Sequence, residues 1–159
     1  MPFKQPRSIQ VVIFADSEEG RRYLLLKRVL SFGGFWQSVT GSLEEEETHK
    51  QAATREVCEE TGVSASEDDL IELGIVNTFE IAPQWRSRYG PDVTHNEEVC
   101  FALRITKRDI KLDPLEHESW WWVPYEQAME MLYWESNRRA LVAADALAVD
   151  HQVREVRNK

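Results

Sequence analysis

The sequence predicts an α/β fold: an α/β/α sandwich built around a mixed β-sheet. Three observations predict it. Short segments rich in Val, Ile, Leu and Phe recur along most of the chain. One well-capped helical segment interrupts them, and helical patterns follow the last apolar strand. The chain, with 159 residues, is long enough for one domain with a sizeable core. Residues 1–150 are expected to form that domain, and 151–159 a polar C-terminal tail that frays.

After a polar lead-in carrying Lys4 and Arg7, Ser8 to Ala15 reads as a strand. A turn at 16–20 joins it to a second strand, Arg22 to Arg28, so the two should form an antiparallel hairpin. A turn at 31–34 follows, and Phe35 to Val39 then leads through Thr40-Gly41-Ser42 into a helix. Thr48 and Gln51 fit a capping box that starts this helix near His49. Gly62 fits its left-handed end. Residues 64–69 are a polar connector, and 70–81 reads as a strand or strand pair broken at Gly74.

Residues 82–96 form the longest irregular stretch. It mixes Trp85, Arg86, Arg88 and Tyr89. Such a loop either stacks on a flat heterocycle and contacts phosphates, or packs its rings on the body of the protein. Glu97 to Ile105 is a strand with Val99, Phe101 and Leu103 alternating. Trp120-Trp121-Trp122-Val123 is a short aromatic strand, and adjacent Trp residues more often fill a core than cage a ligand. Pro124 opens a helix reaching about Leu132, and Ser136 caps a longer one with Ala140, Leu141, Ala144 and Leu147 at helical spacing.

The net charge is −9, with 42% hydrophobic and 30% charged residues. Between Gly41 and Val63, seven glutamates stand against Lys50 and Arg55, a local charge of −5. No basic stripe is visible, which argues against a nucleic-acid polymer as partner. A small triphosphate is acceptable if metal ions screen it. Cys58 and Cys100 offer no spaced framework, so reduced thiols in a cytoplasmic protein are expected. Cys58, on the helix face away from the glutamates, reads as a small buried hydrophobe. The apolar run at 11–14 is too short for a signal peptide, and no stretch reaches the length of a membrane span.

Glu56, Glu59 and Glu60 carry the chemistry. At i, i+3 and i+4 they share one helix face, where like charges repel at a cost of roughly 0.2–0.5 kcal/mol per pair. The plain reading is a solvated acidic face. The surroundings favour a cation instead. Ala52 and Ala53 would leave room for an ion, Arg55 can reach back to fix a carboxylate, and Thr40-Gly41-Ser42 lets backbone approach closely. Clustered carboxylates suit Mg²⁺ or Mn²⁺ rather than zinc or copper.

The stretch resembles the Nudix box, G-x5-E-x7-R-E-U-x-E-E-x-G-U, with U a bulky aliphatic residue. Gly41, Glu47, Arg55, Glu56, Val57, Glu59, Glu60, Gly62 and Val63 fill every fixed position. The resemblance implies the sandwich fold and hydrolysis of a nucleoside diphosphate linked to another group. It implies that Glu56, Glu59 and Glu60 hold Mg²⁺, with Mn²⁺ as the alternative. Arg55 would orient a glutamate, Glu47 would support from behind, and Glu56 or a neighbouring carboxylate would polarise the attacking water. The Thr40 carbonyl would lie beside the metal.

Further segments resemble the Nudix branch that cleaves dihydroneopterin triphosphate. They are Phe35 to Ser42, Phe79-Glu80-Ile81, Arg88-Tyr89, Val93 to Asn96, Glu116-His117 and Ser136-Asn137-Arg138. That resemblance implies Glu116 as one more metal ligand. It implies substrate contacts at Lys4, Arg28, Thr40, Phe79, Glu80, Ile81, Ala82 and Glu116. Ala82 stands where the branch has a larger residue. The implied products are dihydroneopterin monophosphate and pyrophosphate. The alternatives are a broader nucleoside triphosphate pyrophosphohydrolase acting on dATP, and a module that only binds nucleotides. Monomer and homodimer are both open.

Overall fold

A computed structural model describes residues 3–157, with side chains followed to residue 147. One mixed sheet holds seven strands. They are β1 (Arg7–Ser17), β2 (Gly20–Arg28), β3 (Trp36–Gln37), β4 (Val39–Ser42), β5 (Leu70–Glu80), β6 (His95–Arg104) and β7 (His117–Val123). The helices are α1 (His49–Thr61), α2 (Tyr125–Met131) and α3 (Glu135–Arg157). β1 is central. It runs antiparallel to β2 and β4 and parallel to β6. β5 extends the sheet beyond β6, while β3 and β7 both pair with β2.

The apolar run of β1 is continuous because helices cover both of its faces. Ile9, Val11, Ile13 and Ala15 pack with Ala52, Ala53 and Val57 of α1. Val12 and Phe14 pack with Ala128 of α2 and with Ala140, Leu141 and Ala144 of α3. These two apolar layers make the predicted α/β/α sandwich.

α1 begins and ends as the sequence indicates. The Thr48 hydroxyl accepts from the Gln51 N–H, and the Gln51 side chain accepts from the Thr48 N–H. Gly62 has φ 77°, and its N–H donates to the Cys58 carbonyl. Two expectations on this helix fail for one reason. Ala52 and Ala53 are fully buried in the core and leave no room for an ion. Their small size instead brings the helix close to the sheet. Cys58 is exposed, because the buried face carries Ala52, Ala53, Val57, Glu60 and Thr61 and so includes one of the glutamates.

Elsewhere, β5 is one strand. Its register shifts between Glu72 and Val76, and Gly74 sits there at φ 70° as the turning residue of a bulge. The 82–96 stretch contains a 3₁₀ turn at Pro83–Arg88, and its last residues already belong to β6. Trp122 is buried and donates its indole N–H to the Arg108 carbonyl at 2.9 Å, so it fills the core as expected. Trp121, 51% exposed, lies 6.4 Å from the Trp36 ring on the other face. α3 starts at Glu135, one residue before the expected Ser136 cap, and stays helical to Arg157. The stretch expected to fray therefore continues the helix. Residues 158–159 lie outside the described residues.

A buried polar seam ties α3 to the sheet. Gln10 and Asn77 donate to Glu98 Oε1 at 2.8 and 3.1 Å, and Arg139 donates to Asn77 Oδ1 at 3.0 Å. The Ser38 N–H donates to Asn137 Oδ1, fixing the approach to β4. Burial pushes the Cys100 thiol in this seam up to about 12. Burial also raises the Glu98 carboxyl above its ordinary 4.5, although the amide donors pull it down. Native Glu98 therefore keeps a proton in a window above pH 4.5 where the unfolded chain has released it. The native state then binds more protons, so Glu98 lowers stability as pH rises through that window. Glu98→Gln is expected to flatten this decline, read as urea midpoints from pH 4.5 upward. An unchanged slope would contradict the assignment.

Candidate active site

β4 and the loop behind it set the floor of the site. Gly41 lies opposite Ile9 in the ladder and beneath α1. A Cβ on Gly41 would fall 2.2 Å from Glu56 Cδ and 2.3 Å from its Oε1. The glycine is needed for close approach, since the Glu56 carboxylate rests directly on it.

Arg55 arranges the acids around it. Nε and Nη2 donate to the two oxygens of Glu47 at 2.8 and 2.9 Å. Nη1 donates to Glu56 Oε1 at 2.8 Å and to Glu59 Oε2 at 3.3 Å, and Nη2 also reaches the Ser42 carbonyl at 3.0 Å. The planar fork thus joins the loop to the helix. Hydrogen bonds from Arg55 hold the Glu47 carboxyl below its usual range. The same carboxylates, Glu47 first, raise the Arg55 guanidinium.

Glu60 is placed differently. It is 1% exposed, and neither carboxylate oxygen has a hydrogen-bond partner among the described residues. Glu60, Glu116 and His117 bring one ligand atom each within 4.8 Å of one another. Burial, then the adjoining Glu56, push the Glu60 carboxyl well above 4.5. Burial also raises Glu56, against the pull of Arg55. His117 is buried as well, and burial followed by the charge of Arg28 pushes it down to about 4, which leaves it neutral at pH 7.

A buried carboxylate beside a half-buried one needs a shared proton or a cation. The unpartnered oxygens of Glu60, with Glu116 within ligand distance and Glu56 adjoining, fit a hard divalent ion such as Mg²⁺. Glu59 stands apart: its side chain is 54% exposed and turns to Arg55.

Cations surround these acids. Burial and the charges of Arg88 and Arg28 lower the Lys4 ammonium, while Glu56 and Glu116 pull it up. The Lys4 N–H donates to the Arg88 carbonyl at 2.7 Å, and its ammonium lies 5.7 Å from the Tyr89 ring. Arg28 stacks on Phe32 at 4.8 Å and pairs with His117 across the β2–β7 ladder. Thr40 sits in β4 beside Gly41, opposite Gln10.

The structure therefore gathers Lys4, Arg28, Arg55, Glu56, Glu60 and Glu116. The segment Phe79 to Ala82 is tied elsewhere. Phe79 and Glu80 close the β5–β6 ladder against Asn96 and His95. Glu80 pairs with Arg86, and the buried Ile81 bonds through its backbone to Thr94 and Arg86. Ala82 precedes the 3₁₀ turn. No hydrogen bond among the described residues joins this segment to the carboxylates. The 3₁₀ turn that follows it ends at Arg88, whose carbonyl accepts from the Lys4 N–H. The sequence reading gave no role to His117. The Glu116-His117 pair entered only through the resemblance, and what His117 does depends on the β2–β7 register and on the packing of α1, which bring it beside Glu60.

Comparisons with known proteins identify the family. The NUDIX domain family model matches residues 4–144. Dihydroneopterin triphosphate diphosphatase of Haemophilus influenzae is 36% identical over 143 residues, covering 89% of this chain and 88% of that protein. The protein of the same name from Escherichia coli is 40% identical over 142 residues, covering 87% and 91%. The solved structure of the Escherichia coli dihydroneopterin triphosphate pyrophosphohydrolase superposes with a TM-score of 0.75, covering 89% of this chain and 95% of that one. The filled box, the sandwich and the length of these matches lead to one conclusion: the chain belongs to the NUDIX family of hydrolases.

Proposed function

We propose that the protein hydrolyses dihydroneopterin triphosphate to dihydroneopterin monophosphate and pyrophosphate with Mg²⁺ bound at Glu56, Glu60 and Glu116. The observation that carries the reading is Glu60, a buried carboxylate with two unpartnered oxygens facing other ligand groups. Relatives named for this activity, 36–40% identical over most of the chain, support the choice of substrate. The ion would neutralise phosphate charge and make the attacking water more acidic.

The chain supplies the rest. Glu56, seated on Gly41 and turned by Arg55, accepts the proton of the water. Lys4 and Arg28, with Arg88 alongside, take the phosphate charges. Thr40 and the Phe79–Ala82 segment, whose Phe79 is exposed, contact the remainder of the substrate. Glu59 has a lesser part, holding Arg55 in place from the solvent side. The reading includes a cytoplasmic setting and a single domain that carries the whole site.

Three outcomes test this. In a substrate panel with a phosphate readout, pyrophosphate release is expected to require Mg²⁺ and to favour the pterin over dATP in kcat/KM. Equal rates would point to a general triphosphate pyrophosphohydrolase, and binding without release would point to a non-catalytic module. Gly41→Ala is expected to cut kcat about 100-fold, because the new Cβ displaces the Glu56 carboxylate. Thermal melting should confirm that this variant stays folded. Glu60→Gln should lower turnover by about 100-fold or more and Glu59→Gln by roughly tenfold. Equal losses in the two variants would contradict the different roles assigned to Glu60 and Glu59.

A further inference from the structure

Arg55 serves Glu47, Glu56 and Glu59 but does not reach Glu60. A divalent ion could satisfy one side of the Glu60 carboxylate and would leave the other oxygen needing a donor. The donor-bearing side chain beside it is His117. The ring is 1% exposed, and neither of its nitrogens has a hydrogen-bond partner among the described residues. Its Nε2 lies 3.6 Å from Glu60 Oε1, a few tenths of an ångström beyond hydrogen-bond length.

The backbone aims this ring. Lys27 pairs with Ser119, yet Arg28 pairs with His117, so the ladder skips Glu118 in a bulge. Bulges re-aim side chains beside functional sites. The bulged end is held on both sides. The Val29 N–H donates to the Glu116 carbonyl, and the His117 N–H donates to the Asp113 carbonyl, each at 2.9 Å.

We propose that His117 is a positioning residue for Glu60: Nε2–H donates to Oε1 and turns the other oxygen towards the divalent ion. The proposal rests on the reading that these acids bind such an ion. Partners that orient metal ligands are worth about 10–100-fold in metal affinity when removed.

The test uses the full chain without substrate. Mn²⁺ affinity is read from the electron paramagnetic resonance signal of the free ion. The His117 tautomer is read from ring ¹⁵N shifts of Mg²⁺-saturated wild-type protein. Expected results are an Nε2 that carries the proton, an affinity loss of about 10–100-fold in His117→Phe, and recovery of most of that loss in His117→Gln, which keeps an N–H donor. Wild-type affinity in the Phe variant, or equal losses in the Phe and Gln variants, would overturn the proposal. An unprotonated Nε2 in the Mg²⁺-bound protein would also overturn it, and this reading holds even if the Phe variant fails to fold. Failure of the wild-type chain to bind Mn²⁺ would remove the ion-binding reading itself, a result distinct from the others.

Discussion

The structure is organised around negative charge taken out of water. Glu60 lies on the buried face of α1, next to Glu56, with no donor among the described residues at hydrogen-bond distance from its carboxylate. A bare carboxylate in that setting is costly unless a proton or a cation accompanies it. Most other features of the site limit that cost or direct it. Arg55 neutralises the acids it can reach, Gly41 opens a seat for Glu56, and the Lys4–Arg28–Arg88 group faces the acids across the site. A polyphosphate brought in with its metal ions would find both signs of charge in place.

The fold makes this arrangement possible through its centre. β1 holds β4 on one side and β6 on the other, so the Gly41 floor and the β5–β6 end are fixed to one strand. α1 can lie close to that floor because Ala52 and Ala53 take up little space against the sheet. The opposite layer has a separate task. Its polar seam through Gln10, Asn77 and Glu98 anchors α3, and Asn137 clamps the backbone just ahead of β4. Packing on one face therefore positions a loop that serves chemistry on the other.

Much was legible in the chain itself. The capping box, the left-handed Gly62 and the box spacing are local facts, decided by neighbours within a few residues, and each appears where it was read. The apolar segments located the strands for the same reason. What helical spacing could not resolve was the difference among the three glutamates. A shared face says nothing about which edge of it turns to the sheet. Glu60 went under and Glu59 stayed out, while the two alanines filled the core and Cys58 was left exposed.

The sequence by itself determined the family, the sandwich and the residues that meet on α1, because these depend on local periodicity and on a motif of fixed spacing. Only the tertiary structure decided that Glu60 is buried beside Glu116 and His117. It also decided that Lys4, from the start of the chain, faces Glu56. Those meetings depend on strand register, on one skipped residue in β7 and on the depth at which a helix packs. They join residues far apart along the chain, and such contacts are set by the sum of the packing rather than by any local pattern.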